Sequence, residues 1–190
     1  MNRSSVRFRQ AAPGHRQKFE QIERPEATTG ASGDTDPLLL MMSGGSWKAA
    51  AAPLPPNGVQ TGQHGELDAV SCPLVSKCVA GGFYTDRSES TYGMLLTLSG
   101  ISWDSAEAPV PLAAIVCLSA TNCIASGGAM LLILAGGSWK TANAPVPPNA
   151  DSNPSHSRAV SCFSSSKCVA GGSYTDKAGN SDGLLLTGSI

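Results

Sequence analysis

"AVSCPLVSKCVAGGFYTD", residues 69–86, returns almost intact as "AVSCFSSSKCVAGGSYTD" at 159–176, and a worn copy, "AIVCLSATNCIASGG", lies between them at 114–128. Each copy brackets five residues with two cysteines. Two short apolar runs joined by so few residues predict an antiparallel hairpin. The hairpin sets each cysteine pair, Cys72/Cys78, Cys117/Cys123 and Cys162/Cys168, near facing strand ends. There, Cβ atoms about 3.5–4.5 Å apart permit a disulfide.

Working outward, the tryptophans mark a second recurring stretch: "SGGSWKAAAAPLPPN" (43–57), "SGISWDSAEAPVP" (99–111) and "AGGSWKTANAPVPPN" (135–149). The period is unequal because the middle copy lacks the "NGVQTGQHGELDA" type of linker and the "YTDRSESTYG" type of loop, the places where surface loops vary. Each unit then resolves into four strands. In the second unit these are "LDAVSC" (67–72), bounded by Pro73, then "CVAGGFYT" (78–85), "GMLLTLS" (93–99), and a fourth strand that opens on the tryptophan across a Gly-rich turn. The third-strand counterparts are 37–43, 129–135 and 183–187.

The fold class read from this pattern is all-β: tandem four-stranded antiparallel meanders forming a partial β-propeller of about three blades, behind a disordered N-terminal tail. Residues 1–36 are the tail. They hold six of the thirteen Lys and Arg, with scarcely any apolar periodicity to offset ordering entropy. The repeats span 37–190, divided into a partial blade at 37–53, blades at 67–109 and 112–145, and a partial blade at 158–187. Propellers typically have about four to eight blades, so a fragment, a truncated product or a ring completed by other chains is expected. The N-terminal strand pair completing the C-terminal blade would give a very tight three-blade ring.

The unit resembles the "SC…CVA.G.YTD..GN..GLLLT.SGGSW…AP.P" repeats of predicted exported proteins of actinobacteria. More distantly, its "SGGSW" turn resembles the Asp-box of bacterial neuraminidase-repeat propellers. The aspartate of a full Asp-box is absent from every copy, with Gly44, Gly100 and Gly136 in the turn. The resemblance implies a propeller fold and carries no catalytic residue with it.

Six cysteines, one pair per unit, favour structural disulfides and an oxidising compartment, so an extracellular or cell-surface location is expected. No signal peptide is visible, since no apolar stretch follows the basic start. The rival readings are zinc binding, a redox-active pair and reduced buried thiols. Zinc ligands usually come as closer pairs grouped in fours, and redox pairs favour C-x-x-C. His64 and His156 read as loop residues away from the cysteines.

Other constellations are weaker. Asp86 closes one "YTD" corner, while Asp176, Asn180 and Asp182 belong to the last one; they read as turn formers, with ligation of a hard cation by their oxygens as the alternative. Trp47, Trp103 and Trp139 read as packing residues rather than a carbohydrate-stacking ladder. A sialidase-like site needs clustered arginines to grip a carboxylate, and the repeat region has only Arg87 and Arg158. Glycoside hydrolysis needs two placed carboxylates, and the nine acidic residues of 37–190 show no grouping.

A formal net charge of −1 offers no basic field for nucleic acid. The apolar runs "PLLLMM" and "AMLLILA" are far shorter than the ~20 residues of a membrane-spanning helix. The sequence therefore predicts a noncatalytic propeller-type module with a structural or binding role, without a cofactor or metal. Its expected partners are protein or carbohydrate at the loop surface, or further blades completing the ring. The alternative is a remnant of a glycan-acting enzyme lacking its catalytic residues.

Overall fold

The computed structural model describes residues 35–58, 64–151 and 155–189. The tail expected to be disordered lies, but for Thr35 and Asp36, outside the described residues. The described chain contains thirteen strands and no helix. They form four antiparallel sheets in chain order. The first has two strands, β1 (Leu38–Ser43) and β2 (Ser46–Ala51). The second is a four-stranded meander of β3 (Gly65–Leu74), β4 (Lys77–Thr85), β5 (Thr91–Ser99) and β6 (Ser102–Ala108). The third repeats it with β7 (Ala114–Ser119), β8 (Asn122–Gly127), β9 (Met130–Ala135) and β10 (Ser138–Asn143). The fourth holds β11 (His156–Ser164), β12 (Lys167–Thr175) and β13 (Ser181–Gly188). This is the partial propeller expected from the repeats, and it does not close: β1–β2 stands as its own sheet rather than joining β11–β13.

The turns explain why the units pair so regularly. Gly44 and Gly45 both take positive φ, as do Gly136 and Gly137, which is the type I′ geometry that matches strand twist in a two-residue hairpin. In "SGISW" only Gly100 is left-handed, as a type II′ turn requires, so Ile101 is tolerated beside it. The cysteine hairpins work differently. Their two-residue turns follow a register shift that inserts one extra residue in the first strand: Pro73 in the second sheet and its counterparts Leu118 and Phe163. Pro73 therefore does not end its strand. A bulge leaves the extra residue unpaired, so the missing N–H of proline costs the ladder nothing there.

All three cysteine pairs are bridged, Cys72–Cys78, Cys117–Cys123 and Cys162–Cys168, each with Cα atoms 4.0 Å apart. That spacing lies nearer the ~4.5 Å of a non-hydrogen-bonded cross-strand pair than the ~5.5 Å of a hydrogen-bonded one. The bridge closes only the hairpin tip, for a chain-entropy gain of about 2 kcal/mol per loop.

Successive sheets pack face to face, with the first strands β3, β7 and β11 as neighbours on the inner side. The Cys117 amide donates to Ser71 Oγ at 2.9 Å, tying β7 to β3. Every sheet has two faces with distinct residues. On the third strands, Leu39 and Leu95 occupy the face directed at the following sheet, and Leu185 holds the same register position on the fourth sheet. Met94 and Leu96 occupy the opposite face, directed at the preceding sheet, with Leu98 on that face and Leu38, Leu40 and Met42 in the same register on the first sheet. The two buried clusters obey this rule. Leu39 and Ala52 of the first sheet pack with Ala80, Tyr84, Met94 and Leu96 of the second. Val79 and Leu95 of the second then pack with Leu112, Ile115, Leu132 and Leu134 of the third.

Small residues allow the close approach. A Cβ on Gly81 would lie 2.7 Å from Ile115 and 2.9 Å from Leu112 of the next unit. At the next junction Ser126 and Ser157 hold the positions of Gly81 and Leu112, and both are buried. A tighter constraint falls four residues after the second cysteine. A Cβ on Gly82, Gly127 or Gly172 would collide with the backbone carbonyl of Glu66, Pro111 or His156, where the entering chain crosses the second strand. In the second sheet the same glycine also accepts from the next unit, Leu112 N–H to Gly82 O at 3.0 Å.

Gly127→Ala is expected to lower unfolding stability by about 3 kcal/mol, since the obstacle is backbone and cannot rotate away. Gly171→Ala should change stability by less than about 1 kcal/mol, because its nearest neighbour would be Leu184 O at 4.0 Å. Denaturant titration of the two variants checks the contrast; equal losses would contradict it.

Candidate functional site

The recurring "YTD" corners and the proline-rich crossings form one structure, although they lie far apart in sequence. "PPN" occurs twice, at 55–57 and 147–149, and each copy precedes a unit that carries "YTD". The third unit has neither: it follows "APVPL" and turns directly through "GG". The reason is a shared contact. Tyr84, wholly buried, donates its hydroxyl to Asn57 Oδ1 at 2.7 Å, and the Asn57 amide donates to Glu107 Oε2 at 2.9 Å. In the fourth sheet Tyr174 donates to Asn149 Oδ1 at 3.2 Å. Backbone bridges Gly58↔Asp86 and Ala150↔Asp176 complete each clamp. Burial pushes the Tyr84 phenol above its ordinary value, so it stays a donor at neutral pH.

The aspartates that follow shape the loops. Asp86 Oδ1 accepts from Ser88 N at 2.8 Å, Ser88 Oγ at 2.7 Å and Ser90 N at 3.1 Å. Asp176 Oδ1 accepts from Ala178 N at 2.9 Å and Asn180 N at 2.7 Å, while its Oδ2 accepts from the Asn180 amide at 3.0 Å. This is the geometry of a turn-forming side chain. Asp176 and Asn180 thus meet. Asp182 stands apart in β13 opposite Tyr174, and Asp86 belongs to a separate sheet. Among the described residues no three His, Cys, Asp or Glu side chains are grouped to hold a metal ion. The loop of the second sheet carries one strained residue: Glu89 takes φ 60° where the fourth sheet has Gly179 at 85°.

His156 opens β11 rather than lying in a loop. Trp103 and Trp139 pack against the two buried clusters, as expected from their place on the fourth strand. Trp47 differs. It stands opposite Met42 on the first sheet and is exposed, since among the described residues no sheet covers that face.

The opposite end of the sheets holds the disulfides and a groove of about 260 Å³ between the second and third units. Pro73, Lys77, Cys78 and Leu98 line one wall, and Cys123, Leu134 and Trp139 line the other. Its volume is below the ~300 Å³ at which small-molecule pockets begin. Its single charged group, Lys77, has no acid beside it in the lining. The two ends therefore differ in kind: one repeats bridged hairpin tips, and the other presents loops that change from unit to unit on a constant frame. The sequence showed "PPN" and "YTD" separately; their joint absence from the third unit was the signal that they meet.

No family model, curated protein or solved structure matches this chain. Among the described residues no helix is long and apolar enough to cross a membrane.

Tyr84→Phe is expected to cost about 1 kcal/mol, the net worth of one hydrogen bond whose acceptor side chain, Asn57, is itself exposed. Because Tyr84 and Asn57 form one clamp, the double variant with Asn57→Ala should lose less than the sum of the single losses. A double-mutant cycle in denaturant checks this, and strict additivity would refute the coupling.

Acid should act on the loops before the frame. Asp86 is held below its ordinary value chiefly by the Ser88 hydroxyl, and Asp176 chiefly by the Asn180 amide, each with backbone donors adding to the effect. A carboxyl depressed in the folded state stabilises fully above its unfolded value near 3.9, and that contribution disappears as pH falls through the folded value. Amide exchange at Ser90 and Asn180, corrected for intrinsic pH dependence, should therefore hold constant down to about pH 4 and rise below it. A rise beginning near neutrality would contradict the assignment.

Proposed function

We propose that this chain is a noncatalytic propeller-type repeat module of an exported or cell-surface protein, with a structural or binding role exercised through its "YTD" loop end. The single observation that carries the reading is the repeated bridge: one disulfide at the same hairpin position in three successive sheets. Short strands with little core per unit gain from such staples, and the staples persist in oxidising surroundings. The likeness to exported actinobacterial repeats points the same way.

The loop end supports the binding role. "DRSES" and "DKAGN" fill equivalent turns with different side chains, and the third unit omits the loop. Variation of this sort on a fixed scaffold suits recognition of a protein or carbohydrate surface. The recurring carboxylates Asp86 and Asp176 are engaged in holding their own turns, which leaves them poorly placed as general acids or bases.

The test is thiol alkylation of protein isolated under denaturing conditions from its native source. The expected result is no labelling before reduction and six labels after it, matching six bridged cysteines. Six labels before reduction would contradict the exported, bridged form.

A further inference from the structure

The packing rule that joins the sheets leaves one half of the same interface open at each extremity of the described fold. Within the chain, the face carrying Leu132 and Leu134 receives the face carrying Val79, Gly81 and Leu95, and the face carrying Met94 and Leu96 receives Leu39 of the first sheet. On the first sheet the receiving positions are Leu38, Leu40 and Met42, with Trp47 alongside in the place of Trp103 and Trp139. Their counterparts Met94, Leu96 and Leu98 are 0%, 0% and 7% exposed, whereas Leu38, Leu40, Met42 and Trp47 are 47%, 51%, 65% and 58% exposed. On the fourth sheet the donating position Leu185 is 73% exposed, against 7% for its counterpart Leu95. Gly171 tells the same story: a Cβ there would meet only the Leu184 carbonyl of its own sheet, at 4.0 Å, where one on Gly81 would strike the next unit.

These are complementary surfaces of one repeated interface, not two unrelated apolar patches. We propose that the chain associates head to tail with second copies of itself. The Leu185 face of one copy packs on the Leu38–Leu40–Met42–Trp47 face of the next, so each intermolecular junction continues the intramolecular series. The occupant is chosen by that continuity: the only surfaces known to fit either face are its counterparts in this same chain. The contact is heterologous, so it generates a closed ring where the rotation per copy permits and a filament otherwise. The proposal deepens the propeller-type reading and stands apart from its compartment, since it depends on exposed leucines rather than on where the bridges form.

The test uses the full 190-residue chain with disulfides intact. Light scattering coupled to size exclusion should show mass rising with concentration between about 1 and 500 µM, the range of a modest apolar contact. Leu40→Asp and Leu185→Asp alter exposed positions, so each variant should melt as the wild type does and remain monomeric. Leu40→Asp retains the open face of the fourth sheet, and Leu185→Asp retains that of the first. Mixing them should restore one junction and yield a 1:1 heterodimer that grows no further. A wild-type chain monomeric throughout the range would overturn the proposal and assign the faces to other blades or a different protein. Association that persists in both variants would overturn it in favour of the open strand edges of β1 and β13. Failure of the mixture to pair would overturn the head-to-tail geometry.

Discussion

The structure depends on one sheet lying flat against the next. A two-, three- or four-stranded meander of this size cannot stand alone, because half its leucines would face water and an isolated hairpin is marginal at best. The packing of one unit's Leu95 face on the next unit's Leu132 and Leu134 supplies what the meander lacks. Every other feature serves that contact: the glycines let backbones approach, the bridges fix hairpin tips, and the Tyr–Asn clamps fix the crossing that delivers the chain to its next sheet. The disulfides reinforce within a sheet and never between sheets, so they cannot replace the packing they accompany.

The same dependence accounts for how chemistry is distributed. Residues buried between sheets are constrained by their neighbours' volumes, as the close approach of Ile115 and Leu112 to Gly81 shows. Within the loop turns the aspartate's local hydrogen bonds set the shape, so "DRSES" can stand where "DKAGN" stands elsewhere provided an aspartate organises the turn. A frame strict in its interior and permissive at one rim is suited to presenting surface.

Much of this was legible in the order of residues. Cysteine spacing located the hairpins, and the "SGGSW" turns located the third and fourth strands. What escaped was three-dimensional. Pro73 looked like a strand end because a proline breaks a ladder; only the bulge reveals a position with no ladder bond to break. Nothing in the local sequence marks Gly82, yet it lies beneath the Glu66 carbonyl, sixteen positions earlier in the chain. Tyr84 and Asn57 meet across 27 residues, and no local pattern encodes such a pair. Trp47, read as a packing residue like its two counterparts, is exposed because packing needs a neighbour, and among the described residues the first sheet has one only on its other face.

Native-state amide exchange at low protein concentration tests the central claim most directly, since protection reports local opening free energy strand by strand. If face-to-face stacking holds the fold, β4, β5, β8 and β9, in sheets covered on both sides, will exchange slowest. β1, β2 and β13, covered on one side, will exchange at least about tenfold faster, a difference of about 1.4 kcal/mol. Equal protection across all four sheets would show that each is stabilised by itself, and the account built on their contact would be wrong.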